Sequence, residues 1–210
     1  MSSAGAGPGD VPDLSDLVRA AAGGDDDAFC ALYAAVQPGL LRYLWAMVGQ
    51  DAEDVASEAW LQIARDIHSY RGEGAGFRAW AASVARNRAL DQLRRQSRRP
   101  AQTFGLEALH DLADGQDTAE QAAEAVSTAA AISLIATLPR DQAEAVLLRV
   151  VLGLDAEAAG QVLGKRAGAV RTAAHRGLRR LARQLDRQAA VPPPRPAPGL
   201  RTAGIELRRE

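Results

Sequence analysis

GLDAEAAGQVLGKRAGAVRTAAHRGLRRLARQL, residues 153–185, is the stretch whose pattern decides the fold class of this chain. It divides at Gly164-Lys165 into a short helical segment and a longer one. In the longer segment Val170, Ala174, Leu178, Leu181 and Leu185 recur at steps of four, four, three and four. At about 100° per residue these positions fall on one stripe of an α-helix. Thr172, Arg176, Arg179 and Arg183 lie opposite, flanked by Arg171 and His175. One apolar face, one cationic face and a short preceding helix make the pattern of a helix-turn-helix. Taken alone, the stretch also fits an ordinary amphipathic helix with a solvated arginine face.

The remainder is patterned the same way. Across 210 residues the apolar spacing is helical nearly throughout, with no convincing alternating strand, which predicts an all-α protein of one or two small domains. The net charge of −1 conceals a segregation of charge. Arg86 to Arg99 holds six arginines against the single acid Asp91, and Lys165 to Arg187 holds eight cations against Asp186. Between these blocks, Glu107 to Glu124 carries six acids and no Lys or Arg. Separated basic patches point to nucleic acid even where the overall charge is neutral. Cys30 is the only cysteine, so no internal disulfide can form; beside Phe29 and Leu32 it reads as a small core residue. No secretory signal and no apolar run of spanning length is visible, so a cytoplasmic protein without membrane insertion is expected.

Taken in order, residues 1–12 have the composition of a disordered N-terminus. A first domain is expected over 13–99, beginning with a short helix that stops at Gly23-Gly24. Asp25 to Asp27 open the next helix, which carries Phe29, Leu32, Tyr33, Val36, Leu40, Leu41, Leu44 and Val48 and which Pro38 should kink or divide. Asp51, three residues before Asp54, is placed to cap a helix burying Val55, Ala59, Ile63 and Ile67. Asp51, Glu53, Asp54 and Glu58 make the outer surface of that helix acidic near its start. YRGEGAGF, residues 70–77, reads as a glycine-rich loop before a helix from about Phe77 to Gln96. On that helix Trp80, Val84, Asn87 and Asp91 share a face, and six arginines exceed what a helix C-terminus requires, so phosphate contact is their expected use.

Residues 100–127 read as a flexible acidic linker, and a second domain over 128–188 as the helix-turn-helix unit. In it, Pro139 suits the first position of a helix carrying Ala143, Val146, Leu147, Val150 and Val151, which Gly153 closes. Residues 189–210 form a Pro-rich tail. No catalytic, cofactor or metal site is expected: His68, His110 and His175 lie in different segments. The GQVLGK run at 160–165 has three residues between its glycines, and Arg166 where a phosphate-binding loop needs Ser or Thr.

Two segments together carry a specific resemblance. DAEDVASEAWLQIARDIHSYRGEGAGFRAWAASVARNRALDQLRR (51–95) is similar to the first conserved domain of bacterial RNA polymerase sigma factors of the extracytoplasmic-function group, in the sigma-70 family. LPRDQAEAVLLRVVLGLDAEAAGQVLGKRAGAVRTAAHRGLRRLARQL (138–185) resembles their second. The resemblance implies an alternative sigma factor whose partners are core RNA polymerase, through the β′ clamp and the β flap, promoter DNA and an anti-sigma factor. It implies that Asp51, Glu53, Asp54 and Glu58 dock on polymerase. Tyr70, Phe77 and Trp80 would hold an unstacked base, with Asn87, Arg88, Asp91, Arg94 and Arg95 on the minus-10 element. The acidic linker would thread the channel later used by nascent RNA. Arg166, Arg171, Thr172, His175, Arg176 and Arg179 would face the minus-35 element. The chain departs from the family pattern at Ala156, Ala159, Gly160, Ala169 and Ala173, and a glycine inside a short helix costs up to about 1 kcal/mol against Ala. A conventional helix-turn-helix regulator with an N-terminal sensing or dimerisation domain is the competing reading. The acidic helix followed by a basic, Trp-containing one, which such a regulator does not need, separates the two.

Overall fold

The computed structural model describes residues 14–72, 74–97 and 119–189. Expectations for residues 1–12, for most of the acidic linker and for the Pro-rich tail lie outside the described residues. Helix α1 spans Ser15–Ala22, α2 Asp26–Val48, α3 Ala52–Asp66 and α4 Gly74–Ser97. Helix α5 spans Ala119–Ala136, α6 Arg140–Val146, α7 Ala156–Leu163 and α8 Ala167–Ala189. The protein is all-α, with two helical units, α1–α4 and α5–α8.

Local chemistry sets most helix ends. The Asp25 side chain accepts from the Ala28 amide at 3.0 Å, and Gly49, at φ 62°, ends α2. Helix α2 runs unbroken through Pro38. Asp155 accepts from the Glu157 and Ala158 amides at the start of α7, and Gly164 closes that helix in the left-handed conformation. Two expected boundaries move. Helix α4 begins at Gly74, inside the glycine-rich stretch, and α5 begins at Ala119, inside the span expected as linker.

The first core is aliphatic and alanine-rich. Leu32, Val36, Leu40 and Leu44 of α2 meet Val55, Ala59 and Ile63 of α3, while α4 inserts Phe77, Ala81, Ala82, Ala85 and Ala89. Burying a side chain such as Ile63 contributes about 1.5–3 kcal/mol. Trp60 is wedged between α2 and α3, packing on Phe29 and Tyr33 and donating from Nε1 to Gln37 at 2.6 Å. Cys30 is exposed rather than a core residue, because the buried stripe of α2 runs through Ala28 and Leu32 on either side of it.

In the second unit the helical period breaks. After Val146 the chain makes a π turn, Leu147–Val151, in which the Leu152 amide donates to the Leu147 carbonyl five residues back. The extra residue rotates the sequel. Val150, expected on the buried face, is 60% exposed, while Leu152 and Leu154 turn inward. Pro139 sits just outside α6, one residue before its first helical position.

The two units are packed against each other, α2 and α4 of the first meeting α5, α7 and the π turn of the second. Their buried apolar residues form one continuous cluster. At Gly39 a Cβ would lie 3.0 Å from the Leu152 Cδ2 atom, so the absence of a side chain on α2 lets the π turn seat there.

Candidate nucleic-acid interface

Helix α8 sits on the second unit through Val170 and Ala174, both buried, and through Gly177. A Cβ on Gly177 would come within 2.8 Å of Val146 Cγ2 and 3.3 Å of Leu138 Cδ1. The close crossing of α8 over α6 therefore depends on this glycine. The apolar stripe expected to run to Leu185 is only partly covered beyond Ala174: Leu181 packs against the core, while Leu178 and Leu185 are 46% and 51% exposed. Nothing in the residue spacing marks Gly177, because only the partner helix makes it necessary.

The opposite face of α8 is cationic. Arg166, Arg171, Thr172, His175, Arg176 and Arg179 are all exposed, and the structure brings them to one side of the helix and its N-terminal end. Among the described residues none of the arginines of this face pairs with a carboxylate. The Thr172 hydroxyl donates to the Gly168 carbonyl of its own helix at 3.0 Å. Ala173, half-buried, packs against the core instead of lying on the cationic face.

The turn before α8 is tighter than its composition suggests. A Cβ on Gly160 would stand 2.5 Å from the Lys165 carbonyl oxygen, and the Lys165 amide donates to the Gly160 carbonyl at 2.9 Å. Gly160 is thus the residue that lets α7 abut the turn, and the expected cost of a helical glycine is offset by that approach. The run from Gly160 to Lys165 is the end of α7 and its turn.

In the first unit the acidic residues divide into two groups. Glu53 and Asp54 are exposed, but Asp51 accepts hydrogen bonds from Gln92 and Gln96 of α4 and makes no helix-capping bond. Glu58 stands 3.9 Å from Arg95. Asp51 is therefore a tie between α3 and α4 as well as a surface acid.

The candidates on α4 divide similarly. Asn87 is exposed, and Arg94 pairs with Asp91 at 2.8 Å on the surface. Arg88 is half-buried and donates to Gln62 of α3 at 2.8 Å. Phe77 is fully buried, so it forms the floor under the other rings and has no face toward solvent. Tyr70 lies 5.1 Å from the Trp80 ring and 5.8 Å from Phe77, ring centre to ring centre. A Cβ at position 72 or 76 would meet the Tyr70 hydroxyl, so the present placement of that ring goes with glycine at both positions. The three rings fill one another's space.

One charged group had no sequence signal. Glu144 of α6 is 3% exposed and accepts from Arg86 Nε and Nη2, both at 3.1 Å, and from Arg140 Nε at 2.9 Å. Arg86 lies on α4, so this buried carboxylate joins the two units. Tyr43, fully buried on α2, faces the same cluster, and burial, reinforced by the Glu144 charge, raises its phenol above the ordinary value. Among the described residues no cluster of His, Cys, Asp and Glu could hold a metal, and no helix is long and apolar enough to cross a membrane.

Comparison with known proteins adds an independent line. The family described as Sigma-70 region 2 matches residues 32–99, and Sigma-70, region 4 matches residues 128–181. The chain is 36% identical over 177 residues to the ECF RNA polymerase sigma factor ShbA of Streptomyces griseus subsp. griseus, covering 80% of this chain and 93% of that protein. It is 33% identical over 174 residues to the ECF RNA polymerase sigma factor BldN of Streptomyces coelicolor, covering 82% of this chain and 66% of BldN. Among solved structures, CnrH in complex with the cytosolic domain of CnrY has a TM-score of 0.57 at 22% identity, over 83% of this chain and 99% of that one. The sigma factor RpoE, in complex with the anti-sigma factor NepR from Bartonella quintana, has a TM-score of 0.59 at 20% identity, over 75% and 96%. At these identities the structural likeness concerns the fold.

Proposed function

The chain belongs to the extracytoplasmic-function sigma factors of the sigma-70 family, and from that premise we propose how its residues divide the work of an alternative sigma factor. The protein binds core RNA polymerase and directs promoter recognition, DNA melting and transcription initiation. It works in the cytoplasm and supplies binding and positioning, with the chemistry left to polymerase. Glu53 and Asp54, exposed at the start of α3, are the principal contacts to the polymerase clamp, with Glu58 beside them and Asp51 holding α3 on α4 beneath.

Asn87, Asp91, Arg94 and Arg95 meet the minus-10 element, while Arg88 acts from its bond to Gln62. Tyr70 and Trp80 stack against the unpaired base, with Phe77 supporting them from the core. On α8, Arg166, Arg171, Thr172, His175 and Arg176 approach base edges and phosphates of the minus-35 element, and Arg179 lies on phosphate. The boundaries 13–99 and 128–188 describe the two functional units, with α5 extending the second toward Ala119. An anti-sigma factor is proposed as the regulatory partner, since RpoE, of similar fold, is complexed with one.

The observation that carries this reading is an exposed acidic helix start in the same unit as an arginine-rich helix end, ahead of a cationic helix-turn-helix. Run-off transcription with purified core polymerase and genomic promoter fragments tests it. A specific transcript dependent on this chain is the expected result. No transcript and no binding to core would overturn it.

A further inference from the structure

The end of α4 carries a hydroxyl that none of the roles above uses. Ser97 is the last residue of the helix, its side chain is exposed, and its Oγ donates to the Arg94 carbonyl one turn back at 2.9 Å. It closes the run Arg94-Arg95-Gln96-Ser97. No other serine or threonine of the chain has arginine both two and three positions ahead of it.

The packing of α4 on α3 sorts this run by direction. Gln96 donates to Asp51, and Arg95 stands 3.9 Å from Glu58, so both side chains turn toward α3. At about 100° per residue, Ser97 lies about 160° around the helix from Arg95 and about 60° from Arg94. The hydroxyl is therefore carried away from the carboxylates of α3 and set beside Arg94, on the flank of the side assigned to DNA. Arg94 and Arg95 hold their present partners only in exposed pairs, which exchange readily for carboxylates of another protein. The last turn of a helix frays, which opens Ser97 to an enzyme that binds its substrate extended.

Two arginines at this spacing before an exposed hydroxyl form the charge pattern that a Ser/Thr kinase with an acidic substrate groove selects. We propose that Ser97 is a phosphorylation site for such a kinase, with ATP as the donor, and that a phosphate there withdraws α4 from the minus-10 element. The Ser97 Oγ attacks the γ-phosphorus of ATP and an O–P bond forms. The bond from that phosphorus to the oxygen bridging to the β-phosphate breaks, ADP leaves, and the hydroxyl proton passes to the base of the kinase. The product brings about −1.5 to −2 charges to the negative end of the helix dipole. Arg94, one turn back, is the nearest cation on that side and can hold the phosphate by two parallel N–H···O bonds. Promoter phosphate then loses Arg94 and meets like charge. The effect on the promoter rests on the sigma-factor reading; the modification does not.

The test incubates the full chain with ATP and the catalytic subunit of cyclic AMP-dependent protein kinase, a probe that reads arginines at these two positions. Mass spectrometry should map one phosphate, on Ser97, and Ser97→Ala should take none. The chain isolated from the cells that make it should carry the same phosphate in growth or under stress. A phosphate placed elsewhere by the probe, or a native chain unmodified at Ser97 in growth, starvation and envelope stress alike, overturns the site. With core polymerase and a promoter fragment, phosphorylation should lower permanganate reactivity of the melted region about tenfold, as loss of one charge-assisted contact does. Ser97→Ala, treated identically, should open the promoter as the untreated parent does. Equal opening by phosphorylated and unmodified chains overturns the switch, and so does loss of opening in treated Ser97→Ala. A chain that opens no promoter in either form defeats the sigma reading and the switch with it, while the mapped phosphate still judges the site.

Discussion

A Cβ added to Gly160 would lie 2.5 Å from the carbonyl oxygen of Lys165, nearer than a Cβ atom approaches another heavy atom in folded proteins. The first helix of the DNA-binding motif and the turn that follows it touch through backbone alone. A helical glycine replaced by alanine ordinarily gains about 1 kcal/mol. Here Gly160→Ala should instead cost about 1–3 kcal/mol, as overpacking does. The melting temperature should fall, by roughly 2–4 °C for each kcal/mol in a chain of this size. A rise in melting temperature would show that the helix and turn do not meet so closely.

Asp51 and its neighbours should separate by readout. Asp51→Ala leaves Gln92 and Gln96 without their acceptor and should lower stability by about 1–2 kcal/mol in denaturant unfolding. Glu53→Lys with Asp54→Lys should leave the unfolding curve nearly unchanged and weaken core polymerase binding, measured by competition for core. The opposite assignment of effects would place the docking surface elsewhere.

Arg94 and Arg95 make only exposed pairs, with Asp91 and Glu58, and exposed pairs contribute about 0–1 kcal/mol. Their joint replacement by alanine should therefore leave folding and core binding intact while impairing promoter opening. Permanganate reactivity of thymines in the melted region reads this directly. Loss of core binding in the double variant would contradict the roles given to α4.

The cationic face of α8 should behave as a phosphate grip. Each arginine that neutralises a phosphate contributes about 0.9 to the slope of log affinity against log salt. Arg179→Ala should reduce that slope by about 1 and weaken binding similarly across sequences. Arg176→Ala should in addition relax discrimination among minus-35 sequences. An unchanged slope for Arg179→Ala would remove it from the interface.

The buried phenol of Tyr43 predicts an alkaline sensitivity. Its folded value is raised above the ordinary one near 10, so the unfolded chain loses this proton first. The stability linked to it is complete below about pH 10 and declines above that, by up to about 1.4 kcal/mol per pH unit. Tyr43→Phe should unfold less steeply between pH 10 and 11 than the parent chain. Equal slopes would mean that another group controls alkaline unfolding.

Much of the fold was legible from residue order because it is set locally. The apolar stripe through Val55, Ala59 and Ile63 follows from a 3.6-residue period, and Asp25 and Gly164 act on amides and carbonyls within one turn. The two cationic helices were legible for the same reason, since charge lies in the sequence itself. Other positions carried the wrong local signal. Val150 fits the helical stripe until the π turn adds a residue, Cys30 borders apolar neighbours yet faces outward, and Asp51 has the spacing of a cap while its carboxylate turns to α4. Phe77 reads as a wall of a base pocket, but its place under Tyr70 and Trp80 buries it completely.

The sequence by itself determined that the chain is helical, where its acids and arginines fall, and that a helix-turn-helix follows a basic helix. Those properties depend on neighbours within a turn or two. Only the tertiary structure decided what Gly39, Gly160, Gly177 and Glu144 do. A glycine in a helix reads as a cost and a glutamate as solvated until a distant segment arrives. Leu152, the Lys165 carbonyl, Val146 and Arg86 then occupy the space that a Cβ, or water around the carboxylate, would have filled.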